Sequence, residues 1–296
     1  MKVKRWLSRA IVLAMVLALM VPMPVAAKSA AGGKMVKSVE RYNVENGSWK
    51  LSEKTAFTYD KKGNPKTITK TDGYDFFAGI PVNANVQTYT ASYKYKGSKI
   101  KSMKLKNAFG AVVESRTYKS GKAVAVTHEY KYTDEDGVAY INTYASNAAY
   151  NKSGLAVASA NTWTEIDSKN GTDSGSSAWV YAWNQKKGVP SLVLCNDGTA
   201  DATTYYTKFN GKGLAIESGY IDEKGAYVPY NVITYTMKKG NVKEAIVYRV
   251  TDGKPEPAAM FKFKYTKTKA SKTKYLNMMN SLIDWNEGFF TWEGDF

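Results

Sequence analysis

The chain has 296 residues, with 42 Lys or Arg against 26 Asp or Glu for a formal net charge of +16, and it holds 22 Tyr, 10 Phe, 7 Trp, one Cys and one His. A single cysteine excludes an intramolecular disulfide and, with a single histidine, a structural zinc site, so stability has to come from packing. The length suffices for one large core or two, and the aromatic residues are material for either.

Met1 to Ala27 reads as a secretory signal peptide. Lys2, Lys4, Arg5 and Arg9 form a basic start, Ala10 to Val21 is apolar, and Pro24-Val25-Ala26-Ala27 supplies small residues for cleavage. The apolar run is shorter than the ~20 residues a spanning helix needs. No second long run follows, so no transmembrane span is expected once the leader is removed. No cysteine lies near the cleavage site, which argues against a lipoprotein. Setting aside the four basic leader residues leaves +12, a field that draws an exported chain toward anionic cell-envelope polymers or acidic polysaccharide, with no nucleic acid implied. Export without a disulfide fits a secreted or cell-wall-associated protein of Gram-positive type. The alternative is that the lysines keep a large β surface soluble and guard its edges.

Residues 28–38 are small and basic, and a flexible start is expected there. A β-hairpin repeat domain is expected over 39–270. It opens with a hairpin in which Val39-Glu-Arg-Tyr42-Asn-Val44 alternates, Asn46-Gly47 turns, and Trp49-Lys-Leu51 returns. The organising unit follows at Phe57-Thr-Tyr59-Asp60-Lys-Lys-Gly63-Asn64-Pro-Lys-Thr-Ile68. Phe57 and Tyr59 share one strand face, Asp60 to Asn64 tolerates turn dihedrals, and Ile68 resumes the apolar pattern. Looser copies end on Gly97, Gly121, Gly154, Gly188, Gly213 and Gly240. From Gly63 onward the successive spacings are 34, 24, 33, 34, 25 and 27 residues, which fits about two to four short strands per unit.

Phe57-Thr-Tyr59-Asp60-Lys-Lys-Gly63-Asn64 resembles one YD repeat, the Tyr-Asp-x-x-Gly-Asn/Arg hairpin unit of rearrangement-hotspot shells and of secreted bacterial β proteins. The first copy matches closely, and the echoes run from Phe57 to Ile246. The resemblance implies a β-hairpin scaffold and carries no catalytic residues across.

Between Tyr74 and Gln87 the alternation fails, and Phe76-Phe77-Ala-Gly-Ile80-Pro81 reads as an apolar excursion. Alternation resumes at Tyr93-Lys-Tyr95-Lys96, Met103-Lys-Leu105-Lys106, Tyr130-Lys-Tyr132 and Phe261-Lys-Phe263-Lys-Tyr265, with aromatic residues on one face and lysines on the other. Lys94, Lys96, Lys104, Lys106, Lys131, Lys262 and Lys264 are the candidate residues of a shared basic face. An aromatic face of this size must be covered, so the sheet is expected to curl into a barrel or shell or to pack as a sandwich.

Ile166 to Ala178 reads as a polar loop that could divide two subdomains near residue 170. Trp179, Tyr181 and Trp183 then occupy one strand face, as core or as a sugar-stacking platform. Tyr275, Leu276, Met279, Leu282 and Ile283 recur at helical spacing after Ser271 or Thr273 as N-cap, and Gly288 lies just past the end. Over 271–296 this amphipathic helix and the apolar Phe289-Phe290-Thr-Trp292 tail are expected to dock on the sheet.

No catalytic set stands out. Asp173-Ser174-Gly175-Ser176 resembles a protease serine loop, but His128 lies in an ordinary strand only 46 residues before Ser174. Cys195 follows an apolar strand and reads as a buried, inert thiol, although the sequence leaves any role of Cys195 or His128 open. Carboxylates gather at Asp134-Glu135-Asp136-Gly137 and recur at Asp197 and Asp201, without the spacing of a calcium loop. No metal or cofactor is implied. The reading is a mainly β antiparallel meander of repeated hairpins with one C-terminal helix, exported and non-enzymatic. It would bind an anionic envelope polymer through its basic face. The alternatives are a polysaccharide-acting enzyme using the tryptophan row and a protein-binding scaffold.

Overall fold

In the computed structural model, residues 31–72, 86–120, 122–133, 137–151, 155–184, 189–196 and 203–284 are described. The signal-peptide segment, the apolar excursion after Asp72, the Asp134 to Asp136 carboxylates, Asp197, Asp201 and the tail beyond Asp284 lie outside them. The first eight strands are β1 (Ala31–Glu45), β2 (Ser48–Tyr59), β3 (Pro65–Asp72), β4 (Val86–Lys96), β5 (Lys99–Lys106), β6 (Val112–Lys119), β7 (Lys122–Thr133) and β8 (Ala139–Tyr150). The second eight are β9 (Ala156–Asp167), β10 (Gly171–Asn184), β11 (Val189–Asn196), β12 (Thr204–Phe209), β13 (Ala215–Ile221), β14 (Tyr227–Lys238), β15 (Asn241–Thr251) and β16 (Lys254–Ser271). Helix α1 (Lys272–Asp284) follows.

Each strand pairs antiparallel with its sequence neighbours, and β1 pairs with β16, so the meander closes into a sixteen-strand barrel. Closure settles how the aromatic face is covered: the sheet wraps around it. It also leaves no edge strand to guard. Register and burial agree on which way side chains point. On β4, Tyr89, Ala91, Tyr93 and Tyr95 turn into the lumen, while Thr90, Ser92, Lys94 and Lys96 face out and are exposed.

The repeat has a two-strand period, and its turns all fall at one end of the barrel, the proximal end. Asp60 shows why the motif needs its letters. Its backbone N–H donates to the Asn64 carbonyl at 2.8 Å, and Gly63 N–H donates back to the Asp60 carbonyl at 3.0 Å. The Asp60 carboxylate accepts the N–H groups of Lys62 and Asn64, both at 2.8 Å. Gly63 has φ 74°, a conformation that costs glycine little. Asn210 builds the same loop with Gly213 at the proximal end, and Asn107 and Asp222 build it at the distal end. The Asn46-Gly47 turn has φ values of 50° and 73°, the two positive values of a type I′ hairpin.

The repeated aromatic has its own task. At the proximal end a turn joins β2 to β3, but nothing covalent joins β2 to β1 there. Tyr59 on β2 supplies the link by donating its hydroxyl to the Val36 carbonyl on β1 at 2.5 Å. Tyr93 donates to Pro65 at 2.8 Å, and Tyr150 to Ala123, Tyr235 to Ala215 and Tyr265 to Val242, each at 2.6 Å. In all five cases a tyrosine on an even-numbered strand staples its hairpin to the one before.

Helix α1 closes the proximal end. Ser271 caps it, accepting Lys274 N–H at 3.3 Å, and Tyr275, Leu276, Met278, Met279 and Ile283 are buried in the common core. Asn280 clamps the β12–β13 turn: its side-chain amide donates to the Gly213 carbonyl at 2.9 Å and accepts Ala215 N–H at 3.0 Å. Lys274 reaches the Gly63 carbonyl and Asn64 in the β2–β3 turn. The Tyr275 ring lies directly against Gly33, where a Cβ would collide with it.

Two expectations are corrected. Much of the segment expected to be flexible, 28–38, belongs to β1, because Met35 and Val36 are core residues and the strand pairs with β16 from Ala31. The polar loop from Ile166 to Ala178 is a hairpin in which β9 and β10 pair from Gly171 opposite Asp167 onward, so the sheet runs unbroken through residue 170. Thr172, Ser174 and Ser176 face out, while Gly175, on which the Trp163 ring lies, and Ser177, which bonds Asn161 and Trp179, face in. Polar outward positions and a glycine inward erased the apolar alternation that marks a strand.

Candidate functional site

The lumen is stratified. Nearest the helix, Tyr59, Tyr93 and Tyr118 form an aromatic layer. Above it come Phe57, Ile68, Ala91 and Met103. Toward the distal end, the same inward register of β1 to β7 carries Arg41, Glu53, Lys70, Glu114 and His128, with Arg116 one step lower. A cavity of about 350 Å³ lies against these walls, with Ser281 and Leu282 of α1 and Phe261 of β16 completing it.

Its charges are held in pairs. Glu53 and Lys70 face each other across β2 and β3 at 3.1 Å, each about one-sixth exposed. Glu114 and Arg116 on β6 are deeply buried and share a short hydrogen bond from the Arg116 Nε. His128 on β7 places Nδ1 3.9 Å from the other Glu114 oxygen. Burial opposes the charge on Glu114, but the Arg116 guanidinium and His128 outweigh it and hold the carboxyl down to about 2. Arg41 donates from Nε to Asn43 at 3.0 Å, and its guanidinium lies 5.8 Å from the centre of the Phe261 ring. Tyr89 donates to Gln87 at 2.8 Å.

Sequence reasoning missed this layer, apart from His128. The available signal is parity: in Glu114-Ser-Arg116-Thr-Tyr118 the charged residues share the face of an inward tyrosine. Charge had been read as an outward mark, which holds for lysines but fails for these residues.

The seven candidate lysines are exposed and on the barrel exterior. Lys94, Lys96, Lys104 and Lys106 form one group on the adjacent strands β4 and β5, and no carboxylate among the described residues lies within ion-pair distance of them. Lys131 stands two strands away on β7, 3.4 Å from Glu129. Lys262 and Lys264 sit on β16, a quarter of the circumference from β4. There Lys262 lies over Tyr42 and Lys264 pairs with Glu40 at 2.9 Å.

Trp179 and Tyr181 are buried core residues, with Trp179 donating to Ser177 at 3.2 Å and Tyr181 bonded to Ser159. Trp183 pairs with Pro190 after a bulge that breaks the alternation. Sugar cannot stack on Trp179 or Tyr181 without opening the core. The inward aromatic residues that keep solvent exposure are instead Trp163, Tyr205 and Tyr230, each about two-fifths exposed.

The chain matches no protein-family model and no curated protein. Among solved structures it is similar to a porin-like protein from Bacteroides uniformis, at 13% identity and a TM-score of 0.48, over 78% of this chain and 98% of that one.

The catalytic constellations are not assembled. Cys195 is buried on β11, four strands from His128 on β7, and Ser174 faces outward while His128 faces the lumen. Among the described residues no three His, Cys, Asp or Glu side chains cluster as a metal site. None of the helices described is long and apolar enough to cross a membrane. The arrangement can enclose a molecule of modest size, bury its apolar part against Phe57, Ile68 and Met103, and meet its polar part with fixed charges.

Proposed function

We propose that this chain is a non-enzymatic binding barrel of the bacterial envelope that takes a small, largely apolar molecule into its lumen and is retained by anionic polymers outside. The cavity between β1 to β7 and α1 carries the reading. Sixteen strands enclose more room than side chains alone fill, and here the helix blocks one end, so the free space lies above an apolar floor. The leader-like start and the +12 charge of the remainder support export and envelope retention. Lys94, Lys96, Lys104 and Lys106 make the β4–β5 exterior a surface for water and anions, because a lysine held at a bilayer midplane costs about 2–4 kcal/mol.

The test is fluorescence titration of the purified protein, residues 28–296, with N-phenyl-1-naphthylamine, comparing the natural chain with Ala91→Phe, which fills the cavity. Saturable one-to-one binding that the substitution abolishes at an unchanged melting temperature supports the reading. Absence of saturable binding, or binding indifferent to Ala91→Phe, rejects it. Co-sedimentation with cell walls across a salt series tests retention, which should weaken steeply with salt.

A further inference from the structure

We propose that the lumen carries a second binding site toward the distal ends of β12 to β14, where Tyr205, Tyr220 and Tyr230 form a platform for a neutral pyranose ring. The site does not rest on the cavity, which takes no lining residue from β8 to β15. Three observations carry it. The first is exposure. Tyr205 alternates with buried Thr207 and the core residue Phe209, so it faces the lumen, and Tyr220 is its direct partner on β13. Tyr230 is the extra residue of the bulge on β14, and its ring centre lies 5.2 Å from that of Tyr220 and 6.5 Å from that of Tyr205. These neighbours are tilted by 35° and 38°, so the rings do not lie flat on one another, and Tyr205 and Tyr230 stay 38% and 45% exposed.

The second observation is what these hydroxyls leave undone. The five staple tyrosines spend theirs on backbone carbonyls, whereas among the described residues the hydroxyls of Tyr205, Tyr220 and Tyr230 have no hydrogen-bond partner. Each can donate and accept. A pyranose has the matching parts, because its C–H groups make one face apolar and its hydroxyls, donors and acceptors alike, surround that face. An organic cation is matched less well. Asp222 spends its carboxylate on the N–H groups of its own turn, Glu217 is bonded to Lys208 on the exterior, and Arg249 stands opposite Asn231 in register.

The third observation is footing. On the proximal side of the platform Thr207, Ser218 and Asn231 are buried, with the Asn231 amide donating to Ser218 at 3.4 Å. Beside Tyr205, Cys195 and Trp179 are core residues paired in register. The rings stand on packed side chains, so little ordering is required when a sugar binds.

The test is saturation-transfer NMR with calorimetric titration of residues 28–296, using the β-1,4-linked trimers of glucose and of N-acetylglucosamine, with tetramethylammonium and indole as rival probes. At least one trimer should bind, with saturation of the C–H groups on one ring face and little dependence on salt. Tyr230→Ala should weaken that binding more than about tenfold. Tyr205→Phe and Tyr230→Phe should each weaken it by about two- to tenfold, the weight of one hydrogen bond. Ala91→Phe should leave sugar binding unchanged, and Tyr230→Ala should leave N-phenyl-1-naphthylamine binding unchanged. Melting temperatures report whether each variant is folded, and the two phenylalanine variants carry the test if Tyr230→Ala is not. The platform is overturned if neither trimer binds, if sugar binding is indifferent to every folded tyrosine variant, or if tetramethylammonium or indole occupies the tyrosines more tightly than the sugars. Each of these outcomes leaves the cavity reading standing.

Discussion

Two halves of one barrel fill the same lumen in different ways. On β8 to β14 the middle layer is built from short neutral groups. Ser146 bonds to Asn161, Asn161 to Ser177 at 3.4 Å, and Asn231 to Ser218 at 3.4 Å. On β1 to β7 the corresponding level is charged, and the cavity lies there. The exterior divides along a similar line. The outward positions of β8 to β11 are Ala, Ile, Thr, Asn, Ser, Val and Leu with no charge, whereas β4 and β5 present lysine after lysine. Short Ser and Asn side chains bond one another across adjacent strands. Long ion-paired side chains occupy the wall without filling the centre, so open volume and charge come together.

The comparison breaks most severely at Glu114. Glu114→Gln takes the buried carboxylate away from the Arg116 guanidinium, and the fold should lose about 3–5 kcal/mol, read by urea denaturation. Asn161→Ala in the neutral half should cost only about 1–3 kcal/mol, the loss of buried hydrogen bonds without the removal of a buried charge. The acid limb of stability sharpens the contrast. Glu114 is held at about 2, below its ordinary 4.5, so its ionised form stabilises the fold above the unfolded value. That contribution disappears as the pH falls from about 4.5 toward about 2. Chemical denaturation from pH 7 to pH 2 should therefore show a steep loss below about 4.5 that Glu114→Gln flattens and Asn161→Ala leaves in place.

Gly175→Ala is expected next in size. A Cβ there would overlap the Trp163 ring, with 2.5 Å to its Nε1, and should cost about 1–3 kcal/mol. The tyrosine staples follow. Tyr265→Phe should lose about 0.5–1.5 kcal/mol. Burial raises the Tyr59, Tyr93, Tyr235 and Tyr265 hydroxyls above their ordinary 10, so their contribution is complete below pH 10 and lost as the pH rises beyond it. The loss of stability above pH 10 should therefore be shallower in Tyr265→Phe than in a surface control. The smallest effect belongs to Lys94, Lys96, Lys104 and Lys106 changed together to Gln. Stability should stay within about 0.5 kcal/mol while salt-sensitive wall binding falls.

The sequence made the outside of the barrel legible and hid much of its inside. Alternation in Tyr93-Lys-Tyr95-Lys and in Phe261-Lys-Phe263-Lys marked strands, and the Asp60 to Gly63 spacing marked turns, because each is a local rule. The Ser-Gly hairpin near residue 174 was illegible because its strand carries no apolar period. The charged layer was illegible for another reason. Arg41, Glu53 and Lys70 lie on separate strands, and only the barrel's register brings them together. The cavity depends on how far the opposite wall stands, which no single segment specifies.

The staples also bear on how such a barrel can change size. At the proximal end each hairpin is one stave, and among the described residues five joints between neighbouring staves are fastened by a tyrosine hydroxyl on a backbone carbonyl. Backbone carbonyls are the same in every residue, so a duplicated stave would bring its own fastening and find a socket waiting. Differences in stave length pass to the other rim, where β3 ends at Asp72 and β4 begins at Val86. The uneven spacing of the turn glycines is thus compatible with an even seam at the proximal rim, and it is on that rim that the helix rests.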